Sequence, residues 1–228
     1  MIFGGFEKST LIDYPGKIAA MVYTIGCNFR CPYCHNPELV DETVEITFSE
    51  EEILRFLDTR RGLLDGLVIT GGEPTLHDDL LEFIAKVKAK GFLVKLDSNG
   101  TRPAMLREAI DRKLVDYIAM DIKSPLRKYS GTVARPVDVE AIKESIDLLR
   151  KGLVEYEFRT TLIKSLVSRE DLHEIACEIA GAQRYYLQKF IPTKILNPQF
   201  RKKVTYSDDE LNEIKKEFET SVAFCGIR

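Results

Sequence analysis

Cysteine is scarce in this chain: five in 228 residues, three of them within CNFRCPYC at 27 to 34 and the others isolated at Cys177 and Cys225. Small secreted domains use distributed disulfide frameworks, and this pattern excludes one. A reducing, cytoplasmic setting is expected. No apolar run approaches the roughly 20 residues of a membrane span, and the opening MIFGGFEKST lacks the apolar core of a signal peptide. No membrane partner is therefore expected. Basic residues are not concentrated: 33 Lys and Arg against 36 Asp and Glu, scattered in pairs such as Arg60-Arg61, Lys202-Lys203 and Lys215-Lys216. That dispersal excludes the cationic stripe of a nucleic-acid binder. No internal repeat, low-complexity tract or Gly/Ser linker marks a boundary, so a single domain is expected over residues 1–228.

What the chain does have is alternation of short β-branched runs with longer stretches of helical period. Six strands are expected, at 19–24, 66–70, 92–97, 115–121, 155–162 and 184–190. Ser49 with Glu52, Ser168 with Asp171 and Ser207 with Glu210 have capping-box spacing, while Gly91, Gly152 and Gly181 stand where helices stop. Leu211, Ile214 and Phe218 would share one face of the last helix. Repeated βα units imply parallel strands with right-handed crossovers. Six are too few to close an eight-stranded barrel, so the expected fold is α/β, an open partial (β/α)6 TIM-type barrel, with a doubly wound sheet as second choice. The barrel would occupy about residues 17–191 and a helical extension about 192–228.

Chemistry in parallel α/β folds collects at the carboxyl ends of strands. The unusual residues fall there: GCNFRCPYCHN after strand one, GGEPT after strand two, then DSNGT, DIKSP and QKF at the ends of strands three, four and six. A structural zinc site ordinarily needs four N/S ligands. His35 would have to be the fourth, but it directly follows Cys34, and adjacent side chains seldom reach one ion together. An iron-sulfur cluster on three thiolates, Cys27, Cys31 and Cys34, with one iron left open, is the stronger option. Cys177 and Cys225 read as small buried hydrophobes. Arg159, inside a strand, would be costly to bury alone and is expected to meet a carboxylate.

The C-x3-C-x2-C spacing with Tyr33 before the third cysteine resembles the signature of the radical S-adenosylmethionine (radical SAM) superfamily, and GGEP resembles its second motif. DYPG at 13–16, CPYCHNP at 31–37, DSNG at 97–100 and MDIK at 120–123 further resemble the activating enzymes of glycyl-radical proteins, those of pyruvate formate-lyase and anaerobic ribonucleotide reductase. The similarity runs from about residue 3 to about residue 191. It implies a [4Fe-4S] cluster on Cys27, Cys31 and Cys34, with S-adenosylmethionine chelating the open iron. It also implies one-electron cleavage to a 5′-deoxyadenosyl radical and hydrogen abstraction from a glycine of a partner enzyme, with flavodoxin or ferredoxin as electron donor. Gly71, Gly72 and Glu73 would serve the methionine ammonium, and Tyr33 and His35 would flank adenine. Ser98 and Asn99 would approach the ribose, or form an Asx turn. Lys123 would face the cofactor carboxylate, and Asp97 and Asp121 would lie near a monovalent cation.

One departure weakens the pyruvate formate-lyase branch: its histidine just after the sixth strand is missing, since 188–193 read QKFIPT. The eight-cysteine insert of several other activases is missing too. A radical enzyme acting on a small molecule, like 7-carboxy-7-deazaguanine synthase, and a non-catalytic iron-sulfur or zinc protein are the competing classes. TKILNPQFRKKVTY at 193–206 is either part of a docking surface or a polar connection.

Overall fold

Local signals set many of the element ends. At Ser49, Ser168 and Ser207 the serine hydroxyl accepts from the backbone N–H three residues on, while the acid there accepts from the serine N–H, so all three expected capping boxes form. Gly91, Gly152 and Gly181 adopt φ of 89°, 67° and 82°, the left-handed turn that ends a helix without steric strain in glycine.

The computed structural model describes all residues, 1–228. In chain order its first elements are β1 (Ile2–Thr10), β2 (Ala19–Thr24), α1 (Pro37–Val40), β3 (Phe48–Ser49), α2 (Glu50–Asp58), β4 (Gly66–Gly71), α3 (Leu80–Ala89), β5 (Leu93–Ser98) and α4 (Pro103–Asp111). There follow β6 (Tyr117–Asp121), α5 (Tyr129–Val133), α6 (Val139–Arg150), β7 (Glu155–Leu162), α7 (Arg169–Glu178), β8 (Tyr185–Lys189), α8 (Asp208–Phe218) and β9 (Cys225–Ile227). Short 3-10 turns cover Pro74–Leu76, Leu126–Lys128 and Pro198–Lys202. The chain divides into two compact units, one of Met1–Asn28, Glu38–Ser98 and Ala104–Ile118, the other of Phe29–Pro37, Asn99–Pro103 and Ala119–Arg228.

In the first unit the strand order is β3-β1-β2-β4-β5. Strands β2, β4 and β5 are parallel, and β1 runs antiparallel to both β2 and β3. The run Leu67, Val68, Ile69 is fully buried, as expected of a strand covered on both faces. Burying each such side chain contributes roughly 1.5–3 kcal/mol. Tyr14, Ala19, Met21, Val68 and Tyr117 form one core cluster. The Phe3 and Phe83 rings meet at 4.9 Å.

In the second unit β7, β8 and β9 are parallel. The Tyr185 ring stacks on Phe218 of α8 at 4.5 Å, and its hydroxyl donates to Thr160 Oγ1 at 2.7 Å, so a buried polar atom is satisfied inside the core. Leu211, Ile214 and Phe218 are buried together on α8, as their spacing predicts.

All six expected strands form, but the count of six is corrected to nine. Two glycines and two register shifts against β2 erase the period of β1. Strands β3 and β9 have two and three residues and exist through pairing alone. The stretch 192–228, expected to be helical, therefore also contributes a strand to β8. Cys177 is corrected as well: it is exposed on α7, whereas Cys225 is buried, with its thiol pushed up to about 12 by desolvation.

Candidate functional site

In the first unit, Cys27 stands three residues beyond the end of β2, and its base is pinned from three directions. The Gly26 N–H donates to Leu39 O at 2.8 Å, the Glu73 N–H donates to Gly26 O at 2.8 Å, and His77 Nε2–H donates to Ile25 O at 2.9 Å. The Gly72 N–H extends this ladder to Thr24 O at 2.9 Å. The close approach explains both glycines: a Cβ on Gly72 would fall 1.8 Å from Gly26 O, and one on Gly71, where φ is +118°, 2.3 Å from Thr24 N. Glu73 is only 1% exposed. Its Oε1 accepts from Thr75 N–H at 3.1 Å, Thr75 Oγ1 at 2.6 Å and Ser98 Oγ at 2.9 Å, so the carboxylate is fixed before any ligand arrives. Asp97 is buried beside the ammonium of buried Lys95, its ion-pair partner.

In the second unit, the Cys34 N–H donates to Cys31 O at 2.9 Å, closing one turn over two of the thiols. Cys31 is buried, and desolvation pushes its thiol up to about 11 against the pull of the Lys123 ammonium. Tyr33 is buried, with its phenol held far above the ordinary value by burial, and its hydroxyl has no hydrogen-bond partner. His35 is exposed, and its Nε2–H donates to Ile191 O at 2.9 Å. Asn99 is buried and forms the Asx turn, its Oδ1 accepting from Thr101 N–H at 3.1 Å and Thr101 Oγ1 at 2.7 Å.

Asp121 joins two cations. Arg159 Nε donates to Oδ1 at 2.5 Å and Lys123 Nζ to Oδ2 at 2.8 Å. Burial alone would raise this carboxyl, but the two cations outweigh it and hold it well below the usual carboxylate range. Lys123 is held charged by the same pair despite the desolvation that opposes it. Tyr129 braces the turn, accepting from Lys123 N–H at 3.1 Å and donating to Asp121 O at 3.2 Å. The expectation that Arg159 meets a carboxylate holds.

The residues expected from sequence thus gather as Cys27, Gly71, Gly72, Glu73 and Asp97 in one unit, and Cys31, Tyr33, Cys34, His35, Asn99, Asp121 and Lys123 in the other. One contributor, His77, goes beyond that set, and Ser98, expected near the ribose or in an Asx turn, has a different partner. His77 buttresses Ile25 ahead of Cys27, and its position three residues after Pro74 is the only signal of it. Ser98 bonds Glu73, which their separation along the chain conceals.

Comparison with known families now decides the class. The radical SAM superfamily profile matches residues 21–176. The chain belongs to the radical SAM superfamily. A protein of Methanocaldococcus jannaschii, provisionally named a glycyl-radical enzyme activating enzyme, is 37% identical over 225 residues, 94% of this chain and 90% of that one. The pyruvate formate-lyase-activating enzyme of Listeria monocytogenes is 35% identical over 130 residues, 51% of each chain. Among solved structures, Streptococcus suis SuiB bound to S-adenosylmethionine superposes with a TM-score of 0.69 over 91% of this chain and 49% of that one, at 13% identity, a likeness of fold.

This radical SAM enzyme belongs to a superfamily that implies a 4Fe-4S cluster and S-adenosylmethionine. Its residues fit such groups. Three sulfur donors are outside any disulfide, and the buried hydroxyl of Tyr33 lacks a hydrogen-bond partner. No helix is long and apolar enough to cross a membrane.

Proposed function

We propose that this enzyme activates a glycyl-radical partner protein, with Cys27, Cys31 and Cys34 holding a [4Fe-4S] cluster that leaves one iron for S-adenosylmethionine. Bound together, cluster and cofactor supply reductive cleavage to methionine and a 5′-deoxyadenosyl radical, which takes a hydrogen atom from a glycine of the partner. The chain's own groups bind and orient. Glu73, already fixed by Thr75 and Ser98, offers charge to the methionine ammonium, next to the backbone of Gly71 and Gly72. Tyr33 and His35 border adenine, and Asn99 borders the ribose. Lys123 faces the cofactor carboxylate, with Asp121 and Arg159 fixing where its charge sits. A monovalent cation is not needed to neutralise Asp97 or Asp121, since Lys95 serves the first and Arg159 and Lys123 the second.

The observation that carries this reading is the 37% identity across 94% of the chain with a relative of nearly the same length. It is tested anaerobically: reconstitute with iron and sulfide, reduce, add S-adenosylmethionine, and quantify iron and 5′-deoxyadenosine. About four irons per chain with deoxyadenosine formed, and a glycyl-radical signal when a candidate partner is added, support it. Tightly bound zinc, or a cluster that never cleaves the cofactor, overturns it. Cleavage with transfer of hydrogen only to a small molecule would move the enzyme to the competing class.

A further inference from the structure

From Ile179 to Ser207 the chain has no acidic residue, yet it carries Arg184, Lys189, Lys194, Arg201, Lys202 and Lys203. In a chain of net charge −3 whose basic residues are otherwise dispersed, this stretch, with Arg201, Lys202 and Lys203 in a row, is the exception. Arg184 is matched by Glu155 and Lys189 by Asp208. Arg201, Lys202 and Lys203 are exposed on and after the turn Pro198–Lys202, and no carboxylate pairs with them. Lys203 Nζ lies 5.9 Å over the Phe200 ring.

This stretch is also fastened to the cysteine loop. The Leu196 N–H donates to Cys34 O at 2.9 Å, the Asn197 N–H donates to Pro32 O at 2.9 Å, and Ile191 O accepts from His35 Nε2–H at 2.9 Å. Asn197 Oδ1 then caps the turn by accepting from Gln199 N–H at 3.0 Å. The cationic stretch is thereby tied by hydrogen bonds to the cysteine loop.

We propose that the exposed face of residues 194–203 is the landing surface for an acidic one-electron carrier protein that reduces the centre on the cysteine loop. The assignment rests on the functional reading above and names where its reductant docks. In the transfer the carrier loses one electron and the centre gains one, with no bond made or broken. Two physical features favour a carrier over the glycine-bearing partner. A carrier needs proximity only, and short-lived electron-transfer encounters use small, polar, charge-steered surfaces. A protein substrate must lodge a peptide segment, which calls for an apolar cleft; here the apolar residues Ile191 and Val204 sit at the margins, 62% and 63% exposed.

The test uses the cluster-loaded enzyme and purified reduced flavodoxin, an acidic one-electron carrier. Reduction is followed by stopped-flow absorbance, and flavodoxin binding to the metal-free chain is measured separately by titration calorimetry. The variant Arg201→Glu/Lys202→Glu/Lys203→Glu should be reduced by flavodoxin at least about tenfold more slowly than wild type and bind it more weakly. Dithionite should reduce both at equal rates. Raising salt from about 0.05 to about 0.5 M should slow only the wild-type reaction with flavodoxin. Equal flavodoxin rates and affinities in both proteins overturn the landing surface while leaving the activase reading intact. A wild type that dithionite cannot reduce overturns the activase reading, and the landing surface with it.

Discussion

Asp121, at the end of β6, and Arg159, within β7, are bound through a 2.5 Å contact between Oδ1 and Nε, while the other carboxylate oxygen serves Lys123. One side chain thus sets the position of two positive charges, so its loss has consequences at both.

Arg159→Met should lower stability at neutral pH by about 2–3 kcal/mol, somewhat less than breaking a fully buried pair, because both side chains retain some exposure. The folded-state pKa of Asp121 lies below its unfolded value. Its contribution is therefore complete above the unfolded aspartate value of about 3.9 and fades as pH falls toward the folded one. Urea denaturation between about pH 6 and pH 2.5 should show a shallower acid limb in Arg159→Met than in wild type. Parallel acid limbs would remove Asp121 from the pH response.

Cys31→Ala should abolish iron binding and visible absorbance after reconstitution. Cys177→Ala, changing an exposed thiol on α7, should retain both, together with deoxyadenosine formation. Loss of iron in the second variant would mean that the ligand set includes Cys177.

Tyr33→Phe removes a buried hydroxyl without a partner. In the metal-free chain the change should be stabilising or neutral, within about 1 kcal/mol. If the missing partner arrives with the cofactors, the sign reverses in the loaded enzyme. Paired thermal melts, metal-free and loaded, read the difference; identical shifts in both states would deny the hydroxyl any part in the site.

Gly72→Ala should cost at least about 2 kcal/mol, since its Cβ cannot coexist with Gly26 O at 1.8 Å and the backbone must move. For a chain of this size that is a fall in Tm of several degrees. The displaced segment leads straight into Cys27, so iron content should fall as well. An unchanged melt with full iron would show that the strand-end ladder is softer than its geometry implies.

Much of this is legible in the sequence because it depends on local chemistry. Capping boxes are written in adjacent residues, and the partner of Arg159 follows from the cost of burying a guanidinium alone. What the sequence conceals depends on pairing at a distance. Strand β1 has a broken period and forms against β2. Glu73 stands out in sequence only as part of GGEP, yet Thr75 and Ser98 hold its carboxylate in place. Cys177 reads as buried and is exposed, because a helix of mixed composition does not state which side packs.

Strand β9 gives the open side of β8 its parallel partner through Tyr185, Tyr186 and Leu187, and it is made from Cys225–Ile227. During synthesis, β8 leaves the ribosome well before these residues do. Until they emerge, one row of its amides and carbonyls has no partner, a template for pairing with another nascent chain. The yield of this enzyme in a cell should therefore respond to translation speed over the final turn of α8 and to chaperone supply, even when the finished fold is unaltered.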